Sequence, residues 1–152
     1  MSVLTQLDGQ LWQWCDMSYA QNQTLCLELQ NSFFVNVNLL LFAHYLDTAH
    51  DGATVQYSSE QWQQLTLSIN DWDERFLTPY RRLRKLAKIN LSELEYQQML
   101  DVELMMERKA QRIILNTANT LMPEGNQANL VSYLGQFGIG EADIESLGLQ
   151  NL

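Results

Sequence analysis

The sequence predicts an all-α fold: a single-domain helical bundle of about five to seven helices with a central apolar helix near residues 37–50. Glycine and proline are scarce before the C-terminal part of the chain. No segment alternates polar and apolar residues for long, as a half-buried strand would. Apolar residues recur instead at intervals of three and four, which is the spacing of one helix face. These observations favour helices throughout.

Local capping signals place the starts of two long helices. Ser58 with Gln61, and Ser92 with Glu95, each form a capping box, in which the side chains satisfy amide groups that the first helical turn leaves unpaired. Pro123 and the glycine after it stop the second of these helices. The predicted helices are 4–19, 23–30, 37–50, 59–77, 79–89, 93–122, 126–137 and 141–148, with the last few residues of the chain frayed.

One apolar stripe runs along the predicted helices 59–77 and 79–89. Its positions are 62, 65, 69, 72, 76, 79, 83 and 86. Such spacing predicts a packing seam, so Trp62, Trp72 and Phe76 are expected in the core. Proline lacks an amide proton and its ring clashes with the preceding turn. Thr78 and Pro79 therefore predict a break or a kink between two collinear helices.

Length and composition indicate one globular domain over residues 1–152, with 46% apolar residues. The longest apolar run, residues 39–43, is far shorter than the roughly 20 residues that cross a bilayer. The N-terminal residues lack the basic start of a signal peptide, so a cytoplasmic location and no membrane association are expected. Cys15 and Cys26 lack the spacing of metal ligands and are interpreted as reduced packing residues. No cofactor and no metal site is predicted.

Charge is divided unevenly along the chain, whose net charge is −9. All nine bases lie in residues 75–112, where five acids leave a local balance of +4. Residues 1–74 hold nine acids and no base, and residues 113–152 hold four acids and no base. The negative net charge disfavours binding to nucleic acid, because such binding depends on basic side chains that neutralise phosphates. The expected partner is another protein or a second copy, although a small anionic ligand remains possible.

Two asparagines open the apolar segment that becomes the central helix. Asn36 suits a helix cap, because its side chain can accept an amide proton of the first turn. Asn38 lies on the same helix face as Phe42 and Tyr45, so it is predicted to point into the core. A polar group in that place needs a partner.

Two carboxylates, Glu103 and Glu107, fall on the apolar face of the predicted helix 93–122, one turn apart. An unpaired buried carboxylate costs several kcal/mol, so each needs a cation, a hydrogen-bond donor or a proton. The candidate partners are Arg81, Arg84, Lys85, Lys88, Asn38 and His44. One interpretation is a structural network that fixes helix register, and the other is a polar pocket open to a ligand or a metal.

The basic stretch "RRLRKLAK" presents a similar choice. Its members Arg81, Arg84, Lys85 and Lys88 project opposite the predicted seam and form a stripe. The stripe is either a solvated face, which pairs with acids of the same chain, or a docking site for an acidic partner or a phosphate group.

Motifs for enzymatic chemistry are weak. Asp71, Asp73 and Glu74 resemble only loosely the acidic motifs that hold magnesium and diphosphate in helical isoprenoid synthases, whose chains are much longer. His44 and His50 are six residues apart, about 120° from sharing a helix position, so this pair does not predict a zinc site. The sequence leaves open whether the chain is an enzyme, and the absence of a reactive constellation favours a non-enzymatic role.

Several blocks together resemble a proteobacterial family that is catalogued only as a domain of unknown function. They are "LWQWC" at 11–15, "VNVNLLLFAHYL" at 35–46, Trp72, "PYRRLRKLAK" at 79–88 and "ELMMER" at 103–108. The resemblance covers roughly residues 10–120 and departs from the expected pattern at Tyr80 and Lys85. It implies a small intracellular helical protein and supplies no activity.

Two functions follow as hypotheses. The first is a non-enzymatic protein-interaction or adaptor module with a bipolar charge surface. The second is a small-molecule binder or enzyme, for a phosphorylated or metal-bound ligand, with a site in the cluster of Asn, Glu and Arg. A pocket open to solvent beside Glu103 would favour the second. The candidate ligand-binding or partner-binding residues are Asn38, His44, Trp72, Arg81, Arg84, Lys85, Lys88, Glu103 and Glu107.

Overall fold

The computed structural model describes residues 7–48 and 55–149. Over these residues the fold is all-α, with no strand. The helices are α1 (Leu11–Gln21), α2 (Gln23–Phe33), α3 (Val37–Thr48), α4 (Ser59–Trp72), α5 (Thr78–Ala87), α6 (Glu93–Ala118), α7 (Asn129–Leu134) and α8 (Glu141–Leu147). A π-helical turn, Asp73–Leu77, joins α4 to α5, so the described residues form seven continuous helices.

Helix α3 lies at the centre of the bundle, as its composition predicts. Five consecutive residues, 39–43, are buried, so the helix is covered around its whole circumference. It packs against α1, α2 and α7. Both capping boxes predicted from the sequence are formed, at Ser58 and Ser92. His50, which was considered with His44, lies outside the described residues.

An aromatic cluster joins α3, α4 and α7. Trp62 is fully buried, as expected, and its ring lies 5.8 Å from Phe42, 5.9 Å from Tyr57 and 5.4 Å from Tyr133, measured between centroids. Its indole nitrogen donates to Asn129 Oδ1 at 3.2 Å, so the buried N–H is satisfied. The cluster anchors the start of α4 in the core.

The expected helix break at Thr78 and Pro79 is wrong, because the chain passes from α4 through the π-helical turn into α5. The π-helical turn lies directly before Pro79 and is wider than an α-helical turn, so it accommodates the proline ring and its missing amide proton. It also adds one residue to the helix, which rotates everything after it by about 100° relative to a regular α-helix.

That rotation overturns the second half of the predicted seam. Leu77 is buried where Phe76 was expected, and Phe76 is 42% exposed. Trp72 is only half-buried. Leu83 and Leu86 are exposed on α5, which has no buried residue. The face that continues from Leu77, at intervals of four and seven residues, carries the two arginines Arg81 and Arg84 instead.

Helix α6 is long, but its two halves differ. Its buried residues begin only at Ala110, and the half before it packs against α5, so that the two helices form a hairpin at the edge of the bundle. The helix ends four residues before the predicted position. Asn119 follows it and exchanges hydrogen bonds with the backbone of Leu7, at 2.8 and 3.1 Å. This contact ties the N-terminal segment to the end of α6.

The remaining helix bounds differ modestly from the predicted ones. Helix α1 begins at Leu11, and residues 4–6 of the predicted first helix lie outside the described residues. A short 3₁₀ helix, Gly135–Phe137, completes the segment after α7. No helix within the described residues is both long and apolar enough to span a membrane.

Candidate functional site

A polar cleft opens between the α5–α6 hairpin and the α2–α3 corner. Its volume is about 890 Å³, and residues from α1, α2, α3, α4, α5 and α6 line it. Glu103 and Glu107 form part of the wall, so the cleft lies beside the carboxylates that the sequence marks as unusual. Two features position the site: the phase of α5, set by the π-helical turn, and the sharp α2–α3 connection.

Two ion pairs hold the α5–α6 wall. Arg84 Nε donates to Glu103 Oε1 at 2.6 Å, while its terminal nitrogen donates to the Tyr96 hydroxyl at 2.9 Å. Arg81 pairs with Glu107, one turn before Arg84 on α5 and one turn after Glu103 on α6. The side chains of the first pair are only 15% and 17% exposed, so this wall is largely shielded from water. The hydrogen bond to Glu103 raises the pKa of Arg84, which keeps its charge.

An amide relay connects this wall to the central helix. Asn38 Nδ2 donates to Glu107 Oε2 at 3.4 Å, and Gln111 Nε2 donates to Asn38 Oδ1 at 3.4 Å. Asn38, a polar residue in an apolar helix, therefore has a partner for its amide nitrogen and a partner for its amide oxygen. The relay gives Glu107 contacts from both α3 and α5.

Asp73 lies at the start of the π-helical turn and faces the same cleft. Asn36 Nδ2 donates to its Oδ2 at 2.6 Å, while Asn36 Oδ1 caps α3 by accepting from the Leu39 amide at 3.1 Å. Burial raises the pKa of Asp73 to about 6, Arg81 lowers it in part, and Glu107 raises it further. Asp73 is thus a carboxylate held in a place that disfavours its charge.

The second oxygen of Asp73 has no hydrogen bond with the described residues and is not fully buried. Within the described part of the chain, the buried side-chain polar atoms without a partner are Trp12 Nε1 and Ser18 Oγ. The Asp73 oxygen is not among them, and Asn36 provides the hydrogen bond found on that carboxylate. An ionised carboxylate accepts about four hydrogen bonds, so Asp73 retains acceptor capacity toward a ligand.

Phe34 lines the cleft in an unusual conformation. It follows α2 with φ 61°, in the left-handed region, and is the non-glycine residue of the described chain with positive φ. Glycine or asparagine normally takes this place after a helix, because a Cβ atom is strained there. The phenylalanine side chain is nevertheless 85% exposed. A phenylalanine at this position therefore contributes neither a favourable backbone conformation nor packing energy in the core.

The charges that line the cleft do not all cancel one another. Five acids and four bases line it: Asp16, Asp73, Glu74, Glu103, Glu107, Arg81, Arg84, Lys85 and Arg108. Three of the bases pair with three of the acids, the third pair joining Arg108 to Asp16 at 2.9 Å. Lys85, Asp73 and Glu74 form no ion pair with the described residues. The cleft therefore presents one unmatched cation and two unmatched carboxylates.

Six of the nine residues predicted for the site line this cleft: Asn38, Arg81, Arg84, Lys85, Glu103 and Glu107. The other three lie elsewhere. His44 is buried in the core, with Trp14 at 5.3 Å between ring centroids and Thr48 Oγ1 at 3.3 Å. Trp72 donates its N–H to the Met106 carbonyl at 3.0 Å, and Lys88 lies 5.2 Å above the Tyr96 ring.

Two residues of the basic stretch pair with acids of the same chain, which is one of the alternatives that the sequence left open. Arg81 and Arg84 are turned inward onto Glu107 and Glu103 of α6, Lys85 is exposed on the cleft wall and Lys88 lies on Tyr96. The π-helical turn sets the side of α5 on which this stretch lies relative to α6.

Sequence reasoning did not select Asp73, Phe34 or Gln111 for the site. In the sequence, Asp73 stands out only as a member of the acidic group Asp71, Asp73 and Glu74. A helical projection that omits the π-helical turn gives no reason to pair Asp73 with Asn36. Gln111 and Arg108 were assigned no role, although Arg108 reaches both Gln111 and Asp16 at 2.9 Å. A signal for Phe34 was present: two adjacent phenylalanines directly after a polar helix end.

Among the described residues, no group of three or more His, Cys, Asp or Glu side chains is arranged to hold a metal ion. A family model described as "Protein of unknown function (DUF2390)" matches residues 10–114, more than half of the chain. No curated protein and no solved structure matches the chain.

Proposed function

Because the chain belongs to this DUF2390 family of unknown function, we propose its function from the cleft: it binds a small zwitterionic ligand. Asp73 carries the proposal, as a partly buried carboxylate that lines a cleft of about 890 Å³ and whose second oxygen has no hydrogen bond with the described residues. The ligand's cationic group would rest on Asp73. Its anionic group, a carboxylate or a phosphate, would contact Lys85.

The unmatched charges of the cleft support a ligand with both signs. Arg81 and Arg84 are already paired with glutamates, so an anion without a cation would have to compete for them. Lys85 remains for an anionic group, and Asp73 with Glu74 for a cationic one. Seven amide side chains supply donors and acceptors for the rest of the ligand: Gln23, Gln30, Asn31, Asn36, Asn38, Asn70 and Gln111.

Two local conformations support a binding role for the cleft over a purely structural one. A π-helical turn inside an α-helix is often found at functional sites, and this one carries Asp73. The left-handed backbone of Phe34 costs on the order of 1 kcal/mol, and the exposed ring returns no packing energy. Strain that stability does not explain is typical of functional positions. The ring can cover a ligand that sits in the cleft.

The first hypothesis from the sequence, a non-enzymatic interaction or adaptor module, needs no cleft. It is compatible with the proposal, since a ligand-binding protein can also carry a docking face. The outer surface of the hairpin, where Leu83 and Leu86 are exposed, is the place where such a module would act.

The proposal is tested by thermal shift and calorimetry against three sets of compounds. The first set holds amino acids and phosphorylated amines, the second holds simple amines, and the third holds acetate, inorganic phosphate and divalent cations. A zwitterion at 100 times its Kd is expected to raise Tm by roughly 5 to 10 °C. Asp73→Asn should remove this shift, because it removes the counter-charge for the ligand's cation.

Two variants provide the controls. Asp71→Asn makes the same chemical change on an exposed side chain outside the cleft and should leave the shift intact. Phe34→Gly relieves the strain of the left-handed backbone, so it should keep or raise the Tm of the unliganded protein. The same substitution should lower the affinity for the ligand, because it removes the ring that covers the cleft. Stabilisation by simple anions alone, or a shift that survives Asp73→Asn, would exclude a zwitterion at this carboxylate.

A further inference from the structure

The cleft is long in the direction of its α4–α5 wall. Asp73 and Lys85 both line it, and both lie on the continuous helix that α4, the π-helical turn and α5 form. They are 12 residues apart. At a rise of about 1.5 Å per residue, their Cα atoms are therefore about 18 Å apart. The unmatched cation of the cleft and its partly buried carboxylate lie at widely separated points.

This distance is too great for a small zwitterion that contacts both charges. In a free α-amino acid the ammonium nitrogen and the carboxylate carbon are about 2.5 Å apart, since only Cα separates them. An extended lysine side chain reaches roughly 6 Å from its Cα atom, so Lys85 closes about a third of the gap. A ligand that contacts Asp73 and Lys85 at once needs roughly 10 to 18 Å between its own charges.

A short peptide has this length and this distribution of charge. Each extended residue spans about 3.3 to 3.6 Å, so a chain of about three to five residues covers the same 10 to 18 Å. Its free amino terminus is a cation and its free carboxyl terminus is an anion. The two ends therefore match the charges of Asp73 and Lys85 in sign and in separation.

Side-chain amides of the cleft suit the backbone of such a peptide. Gln23, Gln30, Asn31 and Asn70 line the cleft, and their side chains form no hydrogen bond with the described residues. Each side-chain amide offers both donors and an acceptor. Each peptide unit presents one donor and one acceptor, so these amides can pair with it along its length. A plain methylene chain between two charges would leave them without partners.

Apolar side chains of the cleft suit the side chains of a peptide. Leu27, Phe34 and Leu104 line the cleft and are 38%, 85% and 53% exposed. Covering apolar surface of this kind stabilises a complex, and binding sites commonly combine it with a few polar groups. A peptide carries apolar side chains between its charged ends, which a short phosphorylated amine does not.

We propose that the ligand of the cleft is a peptide of about three to five residues with both termini free. Its ammonium group contacts Asp73 and its carboxylate contacts Lys85, while the amides of the cleft bind its backbone. This ligand class rests on the zwitterion binding proposed above and narrows it.

Calorimetric titration with leucine, and with peptides of leucine flanked by alanine from two to six residues long, tests the length. The affinity should be highest at about three to five residues. The tetrapeptide Ala-Leu-Leu-Ala should bind about tenfold or more tighter than leucine, because only the longer molecule reaches both charges.

Capped forms of the same tetrapeptide test its direction. An N-terminal acetyl group should weaken binding by about tenfold or more to the wild type and should have little further effect on Asp73→Asn. A C-terminal amide should act in the same way through Lys85→Met. The caps change the ligand, so their effect on the wild type does not depend on the folding of a variant.

Lys109→Met is the matched control, since Lys109 is exposed on α6 outside the cleft, and it should bind the tetrapeptide as the wild type does. Leucine that binds as tightly as the tetrapeptide, and loses affinity in Asp73→Asn, would overturn the peptide and leave the zwitterion site standing. Binding of a phosphorylated amine without binding of any peptide would do the same, as would a tetrapeptide indifferent to both caps. Failure of peptides, amino acids and phosphorylated amines alike would overturn the zwitterion site together with the peptide.

Discussion

At the scale of single residues, buried amides and carboxylates fix how the helices meet. Asn129 is fully buried; its Oδ1 accepts from the Tyr57 amide at 2.9 Å and its Nδ2 donates to the Val55 carbonyl at 2.7 Å. Asp47 accepts from the amides of Asn129 and Leu130, at 2.8 and 3.0 Å, and so caps α7 from α3. These contacts satisfy the first turn of α7 and hold it against the central helix.

Asp73 should make stability depend on pH. Burial raises its pKa to about 6 from the ordinary 3.8, so the folded chain holds the proton more tightly than the unfolded chain. This stabilisation is fully present below pH 3.8 and is lost as pH rises through about 6. Asp73→Asn should therefore match the wild type near pH 4 and exceed it by about 1 to 2 kcal/mol above pH 7.

Urea unfolding across this pH range measures the difference. Asp71→Asn, which changes an exposed carboxylate, should show no such rise between pH 4 and 7. A constant difference between the wild type and Asp73→Asn would mean that Asp73 titrates like a solvated side chain.

Gly125 is expected to tolerate no side chain. A Cβ atom there would lie 2.5 Å from the Tyr57 carbonyl oxygen, and its amide donates to the Gln56 carbonyl at 2.7 Å. Gly125→Ala should therefore cost about 1 to 3 kcal/mol of unfolding free energy. Gly135→Ala, where no atom lies within 4 Å of the new methyl group, should stay within about 0.5 kcal/mol in the same denaturation experiment. Equal effects would show that the segment before α4 can move away.

At the scale of elements, one π-helical turn decides what α5 presents to α6. It adds a residue to the helix, so that Arg81 and Arg84 meet Glu107 and Glu103 while leucines face outward. A regular α-helix would turn both sides of α5 by about 100° relative to α6. The turn thus creates the charged wall of the cleft.

Deletion of Arg75, an exposed residue of the π-helical turn, should restore a regular helix. Arg81 and Arg84 would then rotate by about 100° away from their glutamates, at a cost of roughly 2 to 4 kcal/mol. Circular dichroism should still show a helical chain, while urea unfolding should show the loss of stability. Arg75→Ala, which keeps the length of the helix, is the control, and similar stability for both variants would mean that the π-helical turn does not set the phase.

At the scale of the whole molecule, one core built around α3 and Trp62 carries the fold, and charged groups occupy its margins. Cys15 and Cys26 belong to this core, at 2% and 0% exposure. Burial raises the pKa of both thiols, to about 11 for Cys26. Their thiols report on the opening of the bundle as a unit.

Both cysteines should therefore resist a thiol reagent such as DTNB at pH 8 in the native protein, because the reactive thiolate is suppressed and covered. Both should react rapidly in denaturant, and the native rate should follow the rate of unfolding. Fast labelling of one cysteine under native conditions would reveal local opening of α1 or α2 instead.

The sequence by itself determined what local interactions decide. Apolar spacing, capping boxes and the composition of α3 predicted an all-α chain, its central helix and the burial of Trp62. The requirement that Glu103 and Glu107 find donors predicted partners among six candidate residues, since unpaired buried carboxylates are too costly to persist. Arg84, Arg81 and Asn38 are the candidates that make these contacts. These predictions depend either on residues within one helix turn of each other or on the large free-energy cost of leaving a buried carboxylate unpaired.

The tertiary structure alone decided the phase of α5, the exposure of Phe76 and Leu83, and the pairing of Asn36 with Asp73. A π-helical turn differs from an α-helical turn by one hydrogen-bond register, and no capping or composition signal distinguishes them. Packing on α6 makes that choice. Hydrogen bonds that join residues far apart in sequence, such as the 37 residues between Asn36 and Asp73, exist only after the helices have met. The cleft was therefore predictable in its charges but not in its shape.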